Sequence, residues 1–205
     1  GAAISGGDDL VGRDASGTFT GRVDFSGTGT FSIAGHTYTV INSLGVPGDT
    51  STTTLQGMKN NLGGHYALGS NIDASATSTW NGGKGFSPIG SATNSFSGKL
   101  DGLGHAVSTL TIIDTTDPQI GLFGETGSSA AITSLTLTSP SVAQAVPPST
   151  IASDRGVLAG INNGRIRDIT VTNPDDSLVG LNGGVISGAL VNGINSHILE
   201  DSIAM

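Results

Sequence analysis

The chain holds 205 residues, 33 of them glycine, with 4% aromatic and 12% charged side chains, 16 acidic groups against 8 basic ones and a net charge of −8. So few rings exclude a core built on aromatic clusters and leave a thin aliphatic one. The negative balance repels phosphate backbones and anionic lipid, which speaks against nucleic acid and membrane insertion.

Taken along the chain, the first residue is Gly1, with neither an initiator methionine nor a secretory leader, so the sequence reads as a piece of a longer protein. It has no cysteine, hence no disulfide framework, and no apolar run near the roughly 18 residues that cross a bilayer. Residues 1–35 read as an irregular β lead-in, within which 18–31 alternates in the manner of a hairpin or a short coil. The run His36-Thr-Tyr-Thr-Val-Ile41 predicts a strand. One short helix is expected over residues 53–62, where Leu55, Met58 and Leu62 follow helical spacing between Ser/Thr caps and the Gly63-Gly64 stop. It should pack on the outside of the fold or on its amino-terminal end.

Beyond residue 100 the chain repeats itself. Leu158-Ala-Gly-Ile-Asn-Asn-Gly-Arg-Ile166 matches Leu178-Val-Gly-Leu-Asn-Gly-Gly-Val-Ile186, and Leu122-Phe-Gly124 begins an earlier copy. Ile132-Thr-Ser-Leu-Thr-Leu-Thr-Ser-Pro140 aligns with Ile166-Arg-Asp-Ile-Thr-Val-Thr-Asn-Pro174, and Val107-Ser-Thr-Leu-Thr-Ile112 keeps the same beat. Each unit reads as strand, Gly/Asn turn, strand, with apolar residues alternating at Leu135/Leu137 and Ile169/Val171. A unit this short cannot bury its apolar side alone, whereas units stacked about 4.8 Å apart share one interior. The expected fold is therefore all-β, a right-handed parallel β-helix or single-stranded solenoid over residues 1–205. Its core runs from Leu100, Leu103 and Val107 through Leu135, Leu137, Ile169 and Val171 to Ile186 and Val191. Corners are expected at Asp101, Gly102, Gly104, Asn162, Asn163 and Asn182, residue types that accept turn geometry. The stretch 139–154, which contains Pro140, Pro147 and Pro148, breaks the repeat and is expected to bulge as a loop. Ser139, Gln144, Ser149 and Asp154 are its candidate ligand-binding residues.

The strings Thr37-Tyr-Thr-Val-Ile-Asn-Ser43, Leu62-Gly-Gly-His-Tyr-Ala-Leu-Gly-Ser-Asn-Ile-Asp-Ala74, Phe86-Ser-Pro-Ile-Gly90 and Phe96-Ser-Gly-Lys-Leu-Asp-Gly-Leu-Gly-His105 follow one another in an order that resembles filamentous-haemagglutinin-like bacterial adhesins. Ile120-Gly-Leu-Phe-Gly124 and the later Leu-x-Gly-x-Asn units resemble the GLUG repeats that follow this region in such proteins. The resemblance implies haemagglutinin-like coils over 36–118, GLUG-like repeats over 119–193 and a tail over 194–205. It also implies a passenger exported by two-partner secretion through a separate outer-membrane pore, and a place outside the cell or on the bacterial surface. The chain departs from the family upstream of residue 36, where the secretion domain is missing or barely represented, and in that the repeat stops after one clear pair.

Candidate chemistry is sparse. Asp101 and His105 stand four apart, as an acid/base pair or metal ligands could, but the Asp-Gly corner favours a carboxylate that accepts nearby backbone N–H groups. The histidines at 36, 65, 105 and 197 show no zinc spacing and are expected mostly at exposed edges or turns. Asp114, Asp117, Glu125, Asp175 and Asp176 could gather around calcium, though they form no recognised calcium loop. Arg165, Arg167 and Asp168 are the one basic-acidic group a sugar-cleaving enzyme could use; strand alternation sends Arg167 and Asp168 to opposite faces, which favours a solvated surface. Thr136/Thr138 and Thr170/Thr172 suggest a threonine ladder, extended by Thr109/Thr111 but too short for ice. Tyr66, Trp80 and Phe86 are expected to plug the core rather than stack on sugar. The expectation is a monomeric, non-catalytic adhesive segment that requires no cofactor and binds a host or biofilm glycan or protein. A polysaccharide-active enzyme and a calcium-dependent binding module remain the alternatives.

Overall fold

Short alternating runs leave a strand with one apolar face and two unpaired backbone edges, and most of the described strands satisfy both by lying parallel and in register against another strand of the chain. The computed structural model describes residues 3–4, 23–25, 30–33, 35–114, 119–144, 154–172, 179–187 and 191–193. They form an all-β fold. The amino-terminal strands are β1 (Ala3–Ile4), β2 (Thr30–Ile33), β3 (His36–Ile41), β4 (His65–Leu68) and β5 (Ile72–Asp73). There follow β6 (Lys99–Asp101), β7 (Ala106–Ser108), β8 (Thr111–Asp114), β9 (Gln119–Ile120), β10 (Phe123–Thr126), β11 (Ala131–Thr138) and β12 (Ser141–Gln144). The last are β13 (Asp154–Arg155), β14 (Ala159–Asn162), β15 (Arg165–Thr172), β16 (Val179–Asn182), β17 (Val185–Ser187) and β18 (Val191–Gly193).

The largest sheet runs β3, β4, β6, β11, β15, β17, with β5, β7 and β18 beside its second half. Its register stacks Tyr66 on Leu100, Ile132, Ile166 and Ile186 in one column. Ile72, Val107, Leu137 and Val171 make another. The described members of both columns are buried. A second sheet stacks β10, β14 and β16, while β8 pairs with β12 and β9 with β13. These pairings are parallel. The largest sheet is nevertheless mixed, because β2 and β3 form an antiparallel hairpin around Gly35, which has φ +80°. That hairpin falls at the end of the lead-in, where the alternation left hairpin and coil both open.

The aligned repeats occupy the expected register, Ile132 on Ile166 and Leu135 on Ile169, but the strand between them is bent. Pairing skips Ser134 and Asp168, whose φ values of 54° and 55° are left-handed. Gly102 holds this place one tier earlier: its N–H donates to the Thr133 carbonyl at 2.8 Å, and a Cβ on it would fall 2.3 Å from the Ser134 carbonyl oxygen. Asp101 makes the expected turn, its Oδ1 accepting the Leu103 N–H at 2.9 Å, and Gly104 follows at φ +79°. Thr109 and Ser139, at φ 58° and 47°, form the next corner. Small polar side chains tolerate this conformation because they can bond to nearby backbone.

Asn162 and Asn163 are not among the left-handed residues. Asn162 is instead fully buried in β14, where its Oδ1 accepts the Thr126 hydroxyl at 2.7 Å and the Gly164 N–H at 3.1 Å. The Asn163 N–H donates to Thr126 Oγ1 at 3.2 Å, and Asn182 continues the register above Asn162. The corner is thus built by a buried polar ladder rather than by positive φ.

Three other expectations change. Residues 141–144 and 154–155 are strands, so Gln144 lies in β12 and Asp154 in β13 rather than in a bulge, while Ser139 turns the corner between β11 and β12; Ser149 lies outside the described residues. The helix is a 3-10 segment, Gln56–Asn60, and its Leu55 and Met58 belong to the main core rather than the outside. Further 3-10 turns within Ser75–Gly83, broken by a kink at Trp80, Asn81 and Gly82, have no helical signature in the sequence. Leu103, with φ 47°, leaves the main core for a smaller cluster on the outer face with Phe31, Ile33, Tyr38, Val40 and Ala67.

Thr126→Val keeps shape and β-branching but removes the hydroxyl that donates to Asn162 Oδ1 and accepts the Asn163 and Gly164 N–H groups, which keep only the Thr126 carbonyl and Asn162 Oδ1 as acceptors. It should lower the free energy of unfolding in urea by about 1–3 kcal/mol, whereas Thr136→Val on the half-buried outer face stays within about 0.5 kcal/mol. Equal effects of the two substitutions would remove the buried ladder as a determinant of the fold.

Candidate functional site

Among the described residues, those singled out in the sequence do not converge on one site. His105 is fully buried, not exposed: its Nε2 donates to the Val23 carbonyl at 2.8 Å and its Nδ1 lies 3.3 Å from Asn71 Oδ1. The lead-in does this, since the Val23 N–H donates to the Leu103 carbonyl and the Phe25 N–H to the Gly69 carbonyl, laying that segment across the outer face. Arg167 Nε and Asp168 Oδ2 meet at 3.1 Å although strand alternation should separate them. The left-handed φ of Asp168 breaks the alternation. Thr136 pairs with Thr170 and Thr138 with Thr172, but the ladder continues onto Ala106 and Ser108 rather than Thr109 and Thr111. Glu125 accepts a hydrogen bond from Asn163 Nδ2 at 3.2 Å. Asp117, Asp175 and Asp176 lie outside the described residues. Tyr66, Trp80 and Phe86 are buried as expected, and burial pushes the Tyr66 hydroxyl up to about 12.

A concave site does form, from residues that carry no motif. Between the 3-10 segment Gln56–Asn60 and the stretch 87–97 lies an open depression of about 610 Å³, lined by Lys59, Asn60, Asn61, Leu62, Pro88 and Asn94 with Gly90 and Ser91. Both ends of its walls are tied. At one end buried Gln56 grips Ser87, its Nε2 donating to the Ser87 carbonyl at 3.0 Å and its Oε1 accepting the Ser87 N–H at 2.9 Å. At the other, the Leu62 carbonyl accepts the N–H groups of Ser97 and Gly98, each at 2.9 Å. The rim loop is closed by reciprocal backbone bonds between Ser91 and Asn94. Gly90 is required where that loop leaves the sheet, because a Cβ would meet the Phe96 nitrogen at 2.7 Å.

The opposite rim rests on Asp49. Its Oδ2 accepts the Thr54 hydroxyl at 2.7 Å and its Oδ1 the Ser51 N–H at 2.8 Å. Thr54 Oγ1 in turn accepts the Gly57 N–H at 3.0 Å, capping the 3-10 segment. Asn60 Nδ2 donates to the carbonyls of Asp49 and Ser51. With Asn60 so engaged, the groups that face a guest are the exposed amides of Asn61 and Asn94, which carry no side-chain hydrogen bond among the described residues, and the Lys59 ammonium. Leu62 and Pro88 supply apolar surface. Amides beside a small apolar patch, on walls fixed in advance, suit a hydroxyl-rich guest with one hydrophobic face.

A second cluster lies on the outer face of β3 and β4. The rings of His36 and His65 have centroids 5.2 Å apart at an interplanar angle of 70°, and Tyr38 lies 5.3 Å from His65. Burial, then the charge of Lys99 and then His36, hold the His65 imidazole below its usual 6.5. Among the described residues no three His, Cys, Asp or Glu side chains group as metal ligands, and no helix is long and apolar enough to cross a membrane.

No family model matches the chain, and no solved structure matches it. Among curated proteins it is similar to Halomucin of Haloquadratum walsbyi, 42% identical over 132 residues, which are 62% of this chain and 1% of that protein. It is also similar to a Gly-rich membrane protein of Evansella cellulosilytica, 33% identical over 119 residues, 57% of this chain and 13% of that protein. The chain thus spans a small part of the length of either relative.

The Thr54 hydroxyl first, and then the Ser51 N–H, hold the Asp49 carboxyl below its ordinary 3.8. The charged form is favoured in the fold, so its contribution is present above pH 3.8 and is lost as pH falls through the lower folded value. A carboxyl 13C titration should place the Asp49 midpoint below 3.8, and Thr54→Ala should move it back up. A midpoint that ignores Thr54 would contradict this account of the rim.

Proposed function

We propose that the chain is a right-handed parallel β-helix that serves as a structural and adhesive segment of a much longer secreted or surface-exposed protein, and that it binds a glycan. The observation that carries this reading is the one-way stacking of like residues, Tyr66, Leu100, Ile132, Ile166 and Ile186, tier on tier. Such a stack puts its side chains in regular outer columns and leaves its turns free to vary, as repeat architectures do. The right hand follows from the general preference of parallel crossover connections. Support for a long parent comes from the similarity to small parts of Halomucin and of a protein named as a membrane protein, which also favours a place at the cell boundary.

Within this reading the family is the filamentous-haemagglutinin-like adhesins with GLUG-type repeats, and export uses a two-partner pore. The chain acts as a monomer and performs no reaction. The ligand surface shifts from 139–154 to the depression beside the 3-10 segment, because strands hold Gln144 and Asp154 in the former and the latter offers fixed walls with open amides. A glycan fits better than a protein because the depression is edged by side-chain amides beside a small apolar patch.

Glycan-array binding of the intact chain tests the reading. Asn61→Ala and Asn94→Ala should each weaken a bound glycan about threefold to tenfold, the loss of one net hydrogen bond, with unfolding midpoints unchanged. Replacing residues 145–153 by a short Gly-Ser link should leave binding intact. A well-folded chain that binds no glycan, or whose binding ignores both asparagines, would leave the segment as stalk.

A further inference from the structure

We propose that His36 and His65 form a two-histidine site for a borderline divalent transition metal ion, zinc, nickel or copper(II), on the outer face where the amino-terminal hairpin meets the rest of the sheet. The two residues sit on neighbouring parallel strands. The register Thr39 on Tyr66 places Tyr38 beside His65 and His36 one diagonal step away. Their ring centroids are 5.2 Å apart. With metal–nitrogen bonds of about 2.0–2.1 Å, two imidazoles on one ion have centroids about 4.5 Å apart at a right angle and about 5.2 Å apart at a tetrahedral angle. The observed separation therefore lies within the range of a shared ion before any movement of the backbone.

The site is partly ordered in advance. Phe25 stacks on Phe31 at 4.6 Å, Phe31 on Tyr38 at 5.8 Å, and Tyr38 lies against His65 at 5.3 Å, so a run of rings holds the His65 imidazole in place. His36 is exposed and leaves the remaining coordination positions to water. Imidazole nitrogen selects zinc, copper and nickel over calcium and magnesium, which require oxygen ligands. Lys99 pairs with His65 on the far side and opposes a cation, which sets the affinity well below that of a closed four-ligand site. A bound ion would join β3, the second strand of the hairpin, to β4, and so clamp the amino-terminal end of the stack. This inference is independent of glycan binding.

The test uses the intact chain titrated with zinc by calorimetry and with copper(II) by electron paramagnetic resonance. One ion per chain is expected, with a copper spectrum showing two nitrogen ligands and an unfolding temperature that rises with zinc concentration. His36→Ala and His65→Gln should each weaken zinc at least tenfold, with circular dichroism unchanged, while His197→Ala binds as the parent does. Absence of saturable binding in the unsubstituted chain overturns the site, as does a copper spectrum with one nitrogen or binding that survives either substitution. The spectrum decides the question on the unsubstituted protein, so it stands even if a variant folds poorly.

Discussion

Among the described residues the strands from β3 onward rest on parallel backbone pairing at close approach, and β11 and β15 pair as two copies of one pattern. Once Ile132 lies on Ile166, the register fixes its neighbours, and each position inherits the chemistry of the position one tier away. The glycines show how tight the constraint is. A Cβ on Gly98 would fall 2.0 Å from the Gly64 carbonyl oxygen, one on Gly164 2.7 Å from that of Ala130, and one on Gly184 2.1 Å from that of Gly164. This column turns where β4, β6, β11, β15 and β17 begin, and a side chain there would force the tiers apart. The glycines of this column are therefore steric, a condition for stacking rather than a sign of looseness.

The same constraint explains the polar interior. A corner that must repeat in register cannot send its polar groups to water on every tier, so Thr126 and Asn162 satisfy one another and the turn amides behind the apolar wall. Gln56 does likewise between two non-repeating segments, binding both the donor and the acceptor of Ser87. Each of these side chains is fully buried and hydrogen-bonded, and each fixes the position of a surface feature: the turn at Asn163 in one case, the wall of the depression in the other. Shape at the surface is set by polar bonds in the interior.

Much of the fold was legible in the residues. The alignment of Ile132 with Ile166 and of Ala159 with Val179 is the register itself, because a repeat that must stack leaves its period in the sequence. The corners at Ser134 and Asp168 were not legible, since serine and aspartate in an alternating run give no sign of left-handed φ; only the glycine at 102 hinted at it. His105 looked like a turn residue because what buries it, the segment at Val23, is remote in sequence. The depression was least visible of all. Its walls come from two stretches that do not repeat, and the contact that joins them, Gln56 to Ser87, links residues 31 apart with no pattern to announce it.

The antiparallel hairpin gives the stack two unlike ends. In the parallel ladders the hydrogen bonds run along the direction of stacking, so tension applied between the first tier and the last loads them one after another, and the structure should open as a zipper does, a row at a time. At β2 and β3 the chain doubles back on itself and residues 23–25 are bonded across the outer face to the carbonyls of Gly69 and Leu103. There the bonds of Val23 and Phe25 add to those of the ladder. The two ends are thus held differently, the first strapped across its outer face at residues 23–25 and the last carried by the ladder bonds of β17 and β18 to β15.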